Sequence, residues 1–271
     1  MRGLRALILV PLMLVLVVAV VVPLFYLYTA ANLPNRIEGT LQIETLLRQS
    51  VESERQSLQG AKNIKDRDNV TWPSPDFSTL PKLMVALYIV ETGCPTYFQT
   101  PRETGREWKK RILFSVIDRQ LDGDGACELI FARRLARRLG ASTPMQLAVA
   151  SDRLHEFLQK DQLVAFDLHS MQFEHGTVGV EAAAKELMQK ELLELDLAEL
   201  AELQLGFPPH AYWEEMRLCQ NASMIRQGRD TLLDHLMTTG FINAETAKNA
   251  SEPAPRCLKI NRGPGSQYHD D

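Results

Sequence analysis

Residues 160 to 190 read KDQLVAFDLHSMQFEHGTVGVEAAAKELMQK. A helical run carrying Asp161, Asp167 and His169 leads into His175-Gly-Thr-Val-Gly, and an alanine-rich helix follows. Carboxylates and imidazoles placed this way are the groups of general acid–base and metal chemistry. The helix face through Ala165 shows Gln162 and His169, neither with a permanent negative charge. Asp167 points about 200° away from position 165. Glu91, at the end of KLMVALYIVE, is a second candidate: it either acts as a base or simply ends a helix. In CELIFARRLARRLG, Arg133 and Arg137, and Arg134 and Arg138, form two i, i+4 rows. That cationic surface either holds a diphosphate or anionic headgroups, or is a solvated face paired with the acids between 181 and 202.

Two metal-like patterns fail. DGDG at 122–125 resembles the opening of a calcium loop, but Ala126 and Cys127 spoil the following positions and Arg133 stands at the twelfth. His169 and His175 lack an HExxH context, so no zinc site is expected.

The elements that position these residues belong to a chain of 271 residues, 45% hydrophobic, with a net charge of −4, which does not suggest a nucleic-acid partner. From Ala6 to Tyr28, 23 residues carry no charge. At about 1.5 Å per residue they cover a bilayer core of about 30 Å. Pro11 and Pro23 lie near the ends of this run, Arg2 and Arg5 place its start in the cytoplasm, and Tyr26 and Tyr28 suit the far interface. The competing reading, a cleaved signal peptide, has a shorter apolar core and a better cleavage site than YTAAN. A single-pass anchor would put Cys94, Cys127, Cys219 and Cys257 in an oxidising compartment, where four cysteines allow three pairings. Four buried free thiols are the alternative.

Residues 38–59 suggest a juxtamembrane amphipathic helix with Leu47, Val51, Glu54 and Leu58 on one stripe, lying on lipid, packed on the protein, or neither. Pro73, Pro75 and Pro81 interrupt periodicity before a domain expected over 70–250. From Lys82 onward six segments have helical spacing, including single long runs over 143–171 and 180–205. Glu181 with Lys185, and Glu186 with Lys190, have the favourable order for i, i+4 pairs. The fold class is therefore mainly α, and the tail from Ser251 reads as disordered.

The order of segments resembles the glycosyltransferase family 51 domain of bacterial peptidoglycan transglycosylases. GTVGVEAAAKELMQKELLELDLAELAELQLGFPPHAYW looks like the family's Gly-x-x-Gly-x-x-x-Ala-Ala stretch, its Lys before a Leu-Thr-x-x-Glu helix and its proline-containing exit. RDTLLDHLMTTGFINAETAKNA is similar to the closing helix pair, and STLPKLMVALYIVE to the entry into the first catalytic Glu. The resemblance implies a lysozyme-like all-helical domain that polymerises lipid-linked disaccharide at the outer face of the cytoplasmic membrane. Glu91 would be the general base. A second Glu, a metal and basic residues would support the leaving diphosphate.

Three departures qualify it. Thr92-Gly93-Cys94-Pro95 replaces the family's Asp-x-x-Phe after Glu91. Cys127-Glu128-Leu129-Ile130 replaces a Gly-Gly-Ser-Thr turn, and Arg133 and Arg134 replace two glutamines, with Arg137 keeping the basic position. Aligning Lys160-Asp161 with the start of the second catalytic helix puts Ala165 at the second Glu and His169 at the following Asn. No Arg-Lys-x-x-Glu element precedes that helix. Because Cys94 and Cys127 replace residues that line one cleft in the family, the resemblance suggests that they pair across it, with Cys219 pairing with Cys257.

The expectation is a periplasmic, inner-membrane-anchored relative with impaired catalysis. It would bind lipid-linked precursor, glycan or a synthase through Arg133, Arg134, Arg137 and His169, with no cofactor unless retained activity requires Mg²⁺. An active glycosyltransferase using Glu91, or an unrelated membrane-anchored interaction domain, are the alternatives.

Overall fold

Apolar residues at i, i+3 and i+4 need a helical backbone to share one face, and helices dominate the computed structural model. It describes residues 20–59, 71–117, 126–173, 177–207 and 221–255. After a helical stretch at 20–31, the helices are α1 (Thr40–Gln59), α2 (Lys82–Glu91), α3 (Gly105–Ile117), α4 (Cys127–Arg138) and α5 (Pro144–Phe157). They continue with α6 (Lys160–His169), α7 (Val180–Met188), α8 (Leu197–Leu205), α9 (Ala222–Thr238) and α10 (Ala244–Ser251). Short 3-10 turns span Phe77–Thr79 and Leu192–Glu194. Among the described residues the only extended pairing is an isolated antiparallel bridge between Gln172 and Val178. The mainly α expectation holds.

Two compact units form, each from two stretches of chain: Met1–Leu46 with Arg102–Leu158, and Leu47–Pro101 with Gln159–Asp271. In the first, α4 and α3 both pack on α5, and Trp108, Ile112, Leu129 and Ala148 form a buried cluster. In the second, α2, α8 and α9 pack against one another, and α7 packs on α8. Met84, Leu87, Leu200, Leu203, Leu232 and Leu236 are buried there. The side chain of Leu205 lies so near Gly228 that a Cβ at 228 would come within 2.9 Å of it.

α1 buries Ile43, Leu47 and Val51, so this part of the amphipathic stripe is packed on protein. Leu41 on the same helix is exposed. Among the described residues no helix is long and apolar enough to cross a membrane. Residues 6–19 of the expected span lie outside them, whereas Val20, Val21, Leu24, Phe25, Leu27 and Tyr28 expose their side chains. The tail from residue 256 and the DGDG turn also lie outside the described residues.

Two long runs are broken where neither Gly nor Pro occurs. The run 143–171 splits at Leu158 and Gln159, both extended, because Gln159 and Gln162 form a reciprocal capping box that starts α6. The run 180–205 splits after α7, whose C-cap Gln189 is left-handed at φ 54°, and restarts at the Asp196–Glu199 capping box. The expected Glu–Lys pairs on α7 give way to other partners. Glu181 meets His169, Lys185 meets Glu191, and Lys190 meets both oxygens of Glu199 at 2.8 and 2.9 Å.

α9 is fastened by Arg229, whose side chain has no solvent exposure. Its guanidinium donates to Glu202 Oε1 at 2.8 Å, the Pro253 carbonyl at 2.9 Å and the Ser251 carbonyl at 2.8 Å. A planar five-donor group suits several fixed acceptors. Arg229→Met should lower unfolding free energy by about 3–5 kcal/mol, because it removes one partner of a buried ion pair. In urea denaturation the double variant Arg229→Met/Glu202→Leu should recover much of that loss.

Candidate functional site

The sequence candidates fall in both units: Glu91 and His169 in the second, Arg133, Arg134 and Arg137 in the first. Glu91 is half-buried and is the last helical residue of α2, at the negative end of the helix dipole. The departure after it is a helix stop. Gly93, at φ 76°, sends its N–H to Val90 O at 2.9 Å, and Cys94 sends its N–H to Ile89 O at 2.7 Å. These are the two bonds of a Schellman motif, which needs a residue that tolerates positive φ. Pro95 then prevents helix continuation.

One turn before Glu91, the Tyr88 hydroxyl donates to Asp167 Oδ2 on α6, and both residues are buried. α6 is enclosed on every side from Leu163 to His169, so that Asp167 and His169 are carried into the interior with its apolar residues. Ala165 has no solvent exposure, so its methyl is part of the core. His169 is also interior. Its Nδ1 lies 3.0 Å from Glu181 Oε2, and its Nε2 lies 3.4 Å from the Thr79 hydroxyl. Thr79 ends the 3-10 turn that Asp76 caps by accepting from Ser78 N at 2.9 Å and Ser78 Oγ at 2.6 Å. Those bonds, the hydroxyl first and the backbone N–H second, hold the Asp76 carboxyl below its ordinary value.

Lys160, which opens α6, ties down the segment after Cys94. Its ammonium donates to Thr100 O at 2.7 Å and lies 4.7 Å from the Tyr97 ring centre, while the Tyr97 hydroxyl donates to Lys160 O at 3.1 Å. Gly179 closes the segment between α6 and α7, with N–H bonded to Met171 O at 2.9 Å. At φ 89° a Cβ there would lie 2.8 Å from Thr71 Cβ and 2.9 Å from His169 O. The second glycine of GTVG is thus required by a close backbone approach.

The arginines do not share one solvent face. Arg133 is buried and donates Nη2 to Ser115 O at 2.7 Å. Burial, and secondarily the Arg137 charge, lower its pKa. Arg134 is half-buried with its guanidinium 5.9 Å from the Phe131 ring centre, and Arg137 is exposed. Periodicity alone does not decide which member of an i, i+4 row is buried: Arg133 is and Arg137 is not.

Sequence reasoning missed a polar cluster in the first unit. Asp152, buried on α5, accepts from Trp108 Nε1 at 3.0 Å and from both Lys109 and Tyr26. Trp108 stacks on His155 with ring centres 3.7 Å apart. His155 Nε2 lies 2.8 Å from Glu128 Oε2 and 3.3 Å from Arg102 Nε. With a proton, Nε2 donates to Glu128; without one, it accepts from Arg102. The available signal was the placement of Glu128, Asp152 and His155 among apolar residues in segments read as helices. Among the described residues no three His, Cys, Asp or Glu side chains gather in a group able to hold a metal ion. Cys94 and Cys127 are both disulfide-bonded; Cys219, Cys257 and His175 lie outside the described residues.

No protein-family model matches the chain, and no curated protein matches it significantly.

Two outcomes test this geometry. Tyr88→Phe should cost about 1–3 kcal/mol of stability by depriving buried Asp167 of its hydroxyl donor, read by chemical denaturation. Because the folded-state pKa of Asp76 is depressed, its stabilising contribution is present above the unfolded carboxylate pKa and is lost as pH falls through the lower folded value. NMR titration should show that low value returning toward normal in Ser78→Ala.

Proposed function

We propose that this chain is a membrane-anchored, periplasmic relative of the peptidoglycan glycosyltransferases that has lost glycosyl transfer. It acts by binding lipid-linked precursor, glycan strand or a synthase at the outer face of the cytoplasmic membrane. In this reading its helices follow the lysozyme-like arrangement of that family. The observation that carries the loss of catalysis is the burial of Ala165. A hard divalent cation needs carboxylate oxygens, and the position assigned to the second Glu offers a methyl enclosed in the core. The ionisable neighbours are committed elsewhere, Asp167 to Tyr88 and His169 to Glu181.

The segments that carried the resemblance have structural duties of their own. Gly179 admits a close backbone approach, Lys160 holds residues 97–100, and Lys190 is held by Glu199. A scaffold can keep such parts after its chemistry is gone, because function resides in a site supported by the fold. Half-buried Glu91 favours the second reading, an active enzyme with Glu91 as general base and any Mg²⁺ held differently.

The test incubates purified full-length protein with lipid-linked disaccharide precursor and Mg²⁺, following binding and glycan polymer separately. Precursor binding without polymer is expected. Loss of a preorganised charged group typically costs about a hundredfold to a thousandfold in rate, enough to abolish visible product. Polymer that disappears in Glu91→Gln would establish the active enzyme instead. Neither binding nor polymer would leave a membrane-anchored interaction domain.

A further inference from the structure

The outer face of α3 has a composition that packing within its unit does not explain. Trp108, Ile112 and Ser115 face inward, while Arg106, Lys109, Lys110, Leu113 and Phe114 face outward. At about 100° per residue the five outward side chains fall within an arc of about 140°. The basic residues occupy the N-terminal half of that face. Leu113, 47% exposed, and Phe114, 62% exposed, occupy the other half. The helix carries four basic residues and one acidic residue, Glu107, which pairs with Lys110 at 2.8 Å. Basic groups beside an exposed aromatic and leucine are the composition of helices that lie in a membrane interface.

Its place in the fold points the same way. Lys109 lies 5.9 Å from the centre of the Tyr26 ring, and both side chains bond to Asp152. Tyr26 belongs to the apolar run 6–28, whose described part exposes Val21, Leu24, Phe25 and Leu27 to solvent. The basic half of the α3 face therefore meets, through Lys109, the exposed apolar helix at the end of that run.

We infer that the outer face of α3 is a membrane-docking surface. Arg106 and Lys110 take anionic phospholipid headgroups, and Leu113 and Phe114 enter the boundary with the acyl chains. This rests on the reading of residues 6–28 as a membrane anchor and goes beyond it, since an anchor alone leaves the domain free to tilt. Each basic side chain near an anionic surface contributes about fivefold to partitioning.

Full-length Phe114→Trp, placed in nanodiscs of phosphatidylcholine and phosphatidylglycerol, tests it, with the parent protein supplying the background of its 3 tryptophans. Acyl-brominated lipids should quench the added indole. Adding Arg106→Glu and Lys110→Glu should remove most of that quenching while circular dichroism and thermal unfolding stay unchanged. Protein retained in the discs with a solvated, unquenched indole overturns the docking surface and leaves the anchor intact. A blue-shifted but unquenched indole in a protein that has become dimeric overturns it in favour of a second copy. Protein that elutes free of the discs defeats the anchor reading, and the docking surface with it.

Discussion

Burying α6 on all sides imposes the constraint around which the second unit is organised. A carboxylate and an imidazole carried into a core without partners would each cost about 1–3 kcal/mol or more. Asp167 and His169 escape that cost through partners on other elements. Tyr88 on α2 reaches Asp167, while Glu181 on α7 and Thr79 at the end of the 3-10 turn reach His169. Apolar packing tolerates small slides of one helix along another, but directional bonds to buried groups do not. The register of α2, the Phe77–Thr79 turn and α7 on α6 is thereby fixed.

The first unit solves the same problem with Asp152. One buried carboxylate takes a tryptophan N–H, a lysine and a tyrosine hydroxyl from 20–31 and α3. Beside it, His155 sits between the Trp108 ring and Glu128, while Arg102 closes the end of α5 by donating to Leu158 O at 2.6 Å. Glu128, which as sequence looked like a bulky acidic intrusion into a small-residue turn, is an interior partner of an imidazole. The residues that made the chain look chemically disarranged are in good part those that hold its helices together.

Helix existence was legible because the apolar period is strong. α2 occupies the very residues of KLMVALYIVE, bounded by Pro81 and the Thr-Gly-Cys-Pro stop. Less legible were the interruptions at 158–159 and after Met188, where Leu158 and Gln189 rather than glycine or proline end the helix and side-chain caps restart it. Of the candidate site, the enclosure of Ala165 was not legible, because Asp161, Gln162, Asp167 and His169 on the same helix mark a polar site as readily as a core. Nor was the inward turn of Arg133, which shares an i, i+4 row with exposed Arg137 and differs from it only in what it meets in three dimensions. The Asp152 cluster was hidden for a related reason, being assembled from residues 26, 108, 109 and 152.

The chain passes between the two units three times, after residues 46, 101 and 158. Neither unit is a contiguous fragment, so no single cleavage or truncation can release one intact. During synthesis the first unit lacks its α3–α5 portion until the segment ending at Leu158 has emerged, by which time the Leu47–Pro101 stretch of the second is already waiting for its longer remainder. Assembly of the two is interleaved by connectivity alone, and an insertion that delayed the return at residue 102 would leave both cores open together.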